Sequence, residues 1–125
     1  MARTKTLLIL VWIAQIVIAL IFLQSLFFKF AGAEEAIYIF STIGIEPLGR
    51  YLIGVAELII AILLFVPRTA KYGAIGSLLI VLPAIFFHLT ILGIEVQGDN
   101  GLLFGLAILV ALLSFFVAWA RFRKL

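Results

Sequence analysis

The sequence predicts an all-α fold: a bundle of four transmembrane helices with a short interfacial helix in the first outer loop. Two observations carry that reading. Hydrophobic residues fill 66% of the 125 positions and charged residues only 12%, with a mean hydropathy of +1.37, far from the composition of a soluble domain. Apolar runs of the length a bilayer requires, about 17 to 25 residues, occur at 7–29, 48–66, 72–92 and 101–120. They consume nearly the whole chain, so one integral membrane domain spanning 1–125 is the expected organisation.

The first span, LLILVWIAQIVIALIFLQSLFFK, follows a basic head. A basic head before an apolar run also fits a secretory leader, with Ala31, Gly32 and Ala33 offering a small-residue cleavage site. Leader cores run about 7 to 15 residues; this run is longer and carries Gln15, so the first span is expected to remain as a helix. Gln15, Ser25 and Lys29 recur at near-heptad spacing and share a face with Phe22, which is expected to look into the bundle. Gln24 lies off that face and is expected to make an amide hydrogen bond between helices.

The loop at 31–47 is long for a small bundle. Glu34 and Glu35 suit a helix start, Ile37, Phe40 and Ile43 follow at helical spacing, and Gly44 can end the helix. A short surface helix over 34–43 is therefore predicted, placed to cover the outer end of the bundle. Pro47 suits the first turn of the second span.

On the second span Arg50, Gly54 and Glu57 stand one above another on a single face. Glu57 lies about 13 Å below the outer boundary by helical rise, near the middle of a hydrocarbon core about 30 Å thick. An ionised acid there costs about 2.5 to 3.5 kcal/mol on insertion scales. Glu57 is thus expected either to carry a proton or to face inward towards a base or a polar cavity, and Arg50, about two turns above, could reach down to it through a water. A purely structural ion pair is the competing reading of the same residues.

On the third span Ser77, Val81, Ala84 and His88 form a stripe, with Pro83 between them predicting a bend. The fourth span offers Ser114 and a Gly101-to-Gly105 GxxxG pattern, which would serve helix pairing within the chain or between copies.

Charge sets the orientation. Arg3, Lys5, Arg68, Lys71, Arg121, Arg123 and Lys124 fall on one side of four alternating spans, and only Lys29 and Arg50 on the other. The excess of positive residues faces the cytoplasm, which predicts cytoplasmic N- and C-termini. With no cysteine in the chain, disulfides, thiolate metal sites and internal thiol redox chemistry are excluded. The sequence also carries no phosphate-binding glycine loop, no paired histidines for a metal and no nucleic-acid motif. The basic residues sort by membrane side, so the lipid bilayer and not nucleic acid is the expected partner of that charge.

The segments FLQSLFFKFAG, STIGIEPLGRYLIGVAELIIAILLFVPR and GAIGSLLIVLPAIFFHLTILG, in this order, resemble the DoxX-like family of small membrane proteins. The family pattern closes helix one with a lysine, places G-x-x-E in helix two and a histidine near the end of helix three. Here these are Lys29, Gly54 with Glu57, and His88, and the likeness covers roughly residues 20 to 112 by order and spacing. The resemblance implies a four-helix bundle of a prokaryotic inner membrane, associated with respiratory or sulfur redox chemistry. Thiol-dependent branches of the family carry cysteines, which this chain lacks.

On this basis Glu57, His88, Lys29 and Arg50 are the candidates for proton handling or ligand binding, with Gln15, Gln24, Ser25, Gly54 and Ser77 as secondary pocket residues. Catalytic residues in the strict sense are not assigned, and no metal site or resident cofactor is expected. A bound quinone is the one small molecule this set could serve, since it needs an apolar slot and a proton-handling group or two. Three functions compete: an accessory subunit of a quinone-linked redox complex, working beside a redox partner subunit; a small-solute or proton-coupled transporter; and a non-catalytic assembly partner. A homo-oligomer would enlarge the small scaffold that transport requires.

Overall fold

Helix dominates because nearly every segment between turns is an apolar run, in which only a helix satisfies its own backbone groups away from water. The computed structural model describes residues 2–123, with side chains from residue 4 onward. Arg3 and Lys124, used above for orientation, lie outside the described side chains. The elements are α1 (Ala2–Ala31), α2 (Glu34–Ile43), α3 (Leu48–Phe65), α4 (Ala70–Phe87), a π-helical turn (His88–Leu92) and α5 (Leu102–Phe122).

Four helices are long and apolar enough to cross a membrane: α1, α3, α4 running into the π turn, and α5. They form a bundle in which α1 packs on α3 and α5, and α4 packs on the same two helices. Every packed neighbour is therefore antiparallel, as short connections demand. The outer surface is apolar: Ile9, Leu20, Leu52, Ile59, Leu79, Phe86, Leu112 and Phe115 are all exposed. Apolar patches on this scale do not persist on a water-soluble monomer, and they match a lipid-facing surface. The protein is an integral membrane four-helix bundle.

Small residues let the helices approach. Ala14, Ala19, Ala61, Ala74, Ala107, Ala111 and Ala120 are buried between larger side chains such as Ile18, Leu64 and Val117, the packing that helices use where no hydrophobic drive operates between them. A Cβ at Gly73 would sit 3.0 Å from the Leu64 side chain, so α4 meets α3 there by lacking one. Gly105 behaves differently: a Cβ there would meet nothing within 4 Å. The Gly101–Gly105 pattern thus mediates no helix contact inside the chain, and Gly101, at φ +83, caps α5.

The α4–α5 interface is held by a hydroxyl pair, Ser77 Oγ and Ser114 Oγ, 2.7 Å apart and both fully buried. Ser77→Ala leaves the Ser114 hydroxyl without its partner, and a buried polar group so stranded costs about 1 to 3 kcal/mol. Ser77→Ala/Ser114→Ala removes both groups and is expected to recover part of that loss, read from thermal unfolding in detergent.

α4 stays helical through Pro83, and π-helical bonding follows it at His88–Leu92. α1 begins at Ala2, not near residue 7. The α2 prediction matches the structure: the helix covers Glu34–Ile43 and ends at Gly44, whose φ of 95° is left-handed. The amides of Gly44 and Ile45 return to the Ser41 and Phe40 carbonyls, the double closure for which glycine is favoured. Pro47 stands just before α3 at its N-cap and not within its first turn.

Candidate functional site

α2 lies across one end of the bundle, touching α1, α3 and the π turn. Beneath it the last turns of α1 meet the first half of α3. Lys29 Nζ lies 3.0 Å from Glu57 Oε1, with side-chain exposures of 14% and 4%. The carboxylate therefore does have a base beside it. Lys29 Nζ also donates to Ser25 Oγ at 2.5 Å, one turn back on α1, and lies 6.0 Å from the centre of the buried Phe40 ring, so α2 supplies an aromatic roof to the ammonium. Glu57 Oε1 is buried, and among the described residues no donor other than this ammonium is bonded to it.

Gly54 makes this meeting of α1 and α3 feasible. A Cβ there would lie 3.0 Å from the Phe30 ring, which itself stacks on Tyr51. Arg50, one turn further, does not reach Glu57. Its Nε donates to both Glu46 carboxylate oxygens at 2.9 and 3.0 Å, and its Nη1 donates to the Lys29 carbonyl. The expectation of an Arg50-to-Glu57 link is thus corrected. Glu46 sits four residues before Arg50, and a contact one turn away needs less ordering of a long side chain than one two turns away. Arg50 instead ties α3 to the end of α1, where the Gly32 amide bonds the same Lys29 carbonyl.

His88 stands apart from this cluster. Its ring is buried, edge-on to Phe104 with centroids 5.6 Å apart, and Nδ1 lies 2.9 Å from the Gly93 carbonyl oxygen. A carbonyl only accepts, so Nδ1 carries the proton, and in the neutral ring Nε2 is an acceptor. In the neutral ring Nε2 is thus placed to accept from a hydroxyl, with no second N–H left to donate. Gln24 is exposed and makes no side-chain hydrogen bond among the described residues, so the expected amide link between helices is not formed. Ser77 serves the α4–α5 interface.

Gln15 belongs to a second polar cluster at the opposite end, which sequence reasoning did not assemble. Its Nε2 donates to the Leu64 carbonyl at 2.7 Å, and its Oε1 accepts from Arg121 Nε at 2.8 Å. Arg121 is buried, with its guanidinium 5.4 Å from the Trp12 ring centre. The signal was present: Arg121 follows Ser114 by seven residues on the stripe Ala107, Val110, Ala111, Ser114 and Val117, all buried.

The loop between the π turn and α5 is organised by Asp99, whose carboxylate accepts from the amides of Val96, Gly101 and Leu103 at 2.9, 2.8 and 3.1 Å. Partial burial works to raise its carboxyl, but the three amides together outweigh it and, with His88 nearby, hold the group below the usual carboxylate range. Glu35 on α2 is pushed the other way, first by burial and then by the Asp99 charge. Asp99 therefore contributes stability that is present above the unfolded carboxyl pKa near 3.9 and is lost as the pH falls through the lower folded value. Glu35 opposes folding while ionised and is relieved on protonation. Asp99→Asn is expected to cost about 1 kcal/mol at neutral pH and to flatten the loss of stability below about pH 4, measured by unfolding in detergent at both pH values.

A surface groove of about 480 Å³ runs along the start of α3, lined by Ile45, Glu46, Leu48, Gly49, Leu52 and Ile53. Neither Glu57, Lys29 nor His88 lines it. Among the described residues no group of three or more His, Asp or Glu side chains is placed to hold a metal ion.

The fold and these buried charges define the class: an integral membrane four-helix bundle with an ion-paired cluster under α2 and an arginine–glutamine cluster at the far end. No family model, curated protein or solved structure matches this chain.

Proposed function

We propose that the chain is a DoxX-like protein of a prokaryotic inner membrane, with cytoplasmic termini, acting as the accessory subunit of a quinone-linked redox complex. The observation that carries this reading is the Lys29–Glu57 pair: an ammonium and a carboxylate in contact, buried at one end of a membrane bundle. Ionisable residues at such depth mark proton and ligand pathways more often than packing. The carboxylate can take a proton and release it, and the neighbouring ammonium sets how readily it does so.

The protein would hold quinol and receive its protons, while the two electrons pass to a partner subunit, since the chain carries no cysteine and a single histidine for an electron carrier. His88 suits the quinol form, because its free Nε2 accepts a hydroxyl proton and the Gly93 carbonyl steadies the ring as charge develops. The order of Lys29, Gly54, Glu57 and His88 along the chain resembles the DoxX-like pattern, which supports the same reading.

A non-catalytic assembly partner is the second reading, favoured by the way Arg50 spends its donors on Glu46 and the Lys29 carbonyl. Transport would ask for a larger scaffold than four helices, which are few for an alternating-access site. Native mass spectrometry of detergent-solubilised wild type and Glu57→Gln, with quinones assayed in the extracted lipid, separates the two. Quinone kept by the wild type and lost by a folded Glu57→Gln supports the redox subunit; quinone absent from both, with the variant less stable, leaves the assembly partner.

A further inference from the structure

Two aromatic rings close off the Lys29–Glu57 pair, and they differ in exposure. Towards the outer water stands α2, whose Phe40 lies over the Lys29 ammonium and is 7% exposed. Beside it Arg50 ties Glu46 to the Lys29 carbonyl. Towards the lipid stands Phe30, the last residue but one of α1, and it is 41% exposed.

Phe30 fills a slot that Gly54 leaves in α3. Three atoms of its ring lie 3.0 to 3.3 Å from where a Gly54 Cβ would stand. The ring runs nearly parallel to that of Tyr51, with an interplanar angle of 15° and centroids 6.2 Å apart. A flat ring of this size therefore fits between α1 and α3 at this level. Glu57 stands one turn below Gly54 on the same face, and side chains of a helix lean towards its N-terminus. Its carboxylate thus rises towards the turn that Gly54 leaves bare, where it meets Lys29, the chain neighbour of Phe30. By helical rise Gly54 lies about 9 Å below Leu48, within the hydrocarbon. The Tyr51 flank of α3 is the lipid side, with Tyr51, Val55 and Leu58 all exposed. On the opposite flank Ile60 packs against α4, where a Cβ at Gly76 would lie 3.1 Å from its side chain.

The solvent decides how firmly such a ring is held. In a soluble protein a phenyl group that swings out of its slot enters water and forfeits its burial. Phe30 swings into hydrocarbon as apolar as the slot itself, so its contacts with Gly54 and Tyr51 are what oppose the move. A change between staggered side-chain rotamers achieves it with the backbone in place. Phe40 has no such exit, because it is buried beneath its own helix on the water side.

We propose that Phe30 is a side gate, through which an uncharged molecule dissolved in the bilayer reaches the Lys29–Glu57 pair from the lipid between α1 and α3. This entrance serves the ligand handling proposed above and depends on that reading of the pair.

The test is chemical modification of Glu57 in the full chain, reconstituted into phosphatidylcholine vesicles, with two carbodiimides. Dicyclohexylcarbodiimide partitions into the bilayer; ethyl(dimethylaminopropyl)carbodiimide is cationic and stays in water. Either one adds a carboxyl O–H across a C=N bond and remains as an N-acylurea, located by mass spectrometry of the digested chain. The bilayer-borne reagent is expected to modify Glu57 in the wild type and to do so about tenfold faster in Phe30→Ala, near the upper worth of one aromatic contact. Phe27→Ala, which removes an exposed ring one turn back on α1, is expected to leave the rate unchanged. The water-borne reagent is expected to modify the exposed Glu34 and Glu95 and to spare Glu57 in all three forms. Labelling of Glu57 in Phe30→Ala at the wild-type rate, or in no form at all, overturns the gate. Acceleration of both reagents by Phe30→Ala also overturns it, since that is a loosened bundle. Faster labelling in Phe40→Ala and not in Phe30→Ala does the same, and moves the entrance under α2. Added short-chain ubiquinone tells the two proposals apart: slower labelling of Glu57 supports both, whereas gating by Phe30 without such protection keeps the gate and overturns the quinone reading.

Discussion

Glu57→Gln is expected to destabilise the bundle by about 3 to 5 kcal/mol, the cost of removing one partner from a buried ion pair. The size follows from what stays behind. Lys29 is 14% exposed at its side chain, and without the carboxylate its ammonium keeps only the Ser25 hydroxyl and the face of Phe40. A neutral amide cannot balance that charge. Lys29→Met/Glu57→Gln should recover much of the loss, because a well-packed neutral pair replaces a charged one at little net cost. Thermal unfolding in detergent gives the stability of all three forms. Quinone retention then separates the two roles of Glu57: a stable double variant that retains no quinone assigns the carboxylate to ligand handling, and one that retains it as wild type does removes Glu57 from the proposed function.

Gln15→Leu is expected to be the second large effect, about 3 kcal/mol for a hydrogen bond to a buried charge. Gln15 is fully buried and its two ends serve different helices: Leu64 on α3 and Arg121 on α5. Leucine fills the volume and satisfies neither. Arg121 Nε would join Nη2 as a second buried donor without a partner. Gln15→Leu/Arg121→Leu leaves only the Leu64 carbonyl without its donor, at the end of α3 where a carbonyl has no helical partner in any case. That double variant should lie closer to wild type than Gln15→Leu alone in the same unfolding measurement. If Gln15→Leu unfolds as wild type does, the cluster does not tie the three helices together.

The bundle was legible in the sequence because its cause is local. A run of about 20 apolar residues is recognisable without knowing its neighbours, and the α2 signals, paired acids at its start and Gly44 at its end, lie within a dozen residues. The stripe of Gln15, Ser25 and Lys29 was legible for the same reason, helical periodicity. Partners were not. Glu57 could be seen to need a base, but the choice between Lys29 and Arg50 depended on where α1 ends relative to α3 and on Glu46 taking Arg50 first. Gln24 and Arg121 were misplaced for a related reason. Hydropathy assigns a polar residue to a span or an end, and Arg121 entered as a topology charge although it lies on the buried face of α5.

The sequence by itself therefore determined the class of solvent, the four spans, the α2 segment and the identity of the side chains that must be accounted for inside them. Composition and period act along one chain segment at a time, so one dimension is enough to read them. The tertiary structure decided which charges meet: Lys29 with Glu57, Arg50 with Glu46, Gln15 with Arg121 and Leu64, Ser77 with Ser114. It also decided which donor is left over, Nη2 of Arg121. Those outcomes turn on differences of a few ångströms between helices far apart in sequence. Electrostatic and hydrogen-bond energies change over that distance, whereas hydrophobic burial is nearly blind to it.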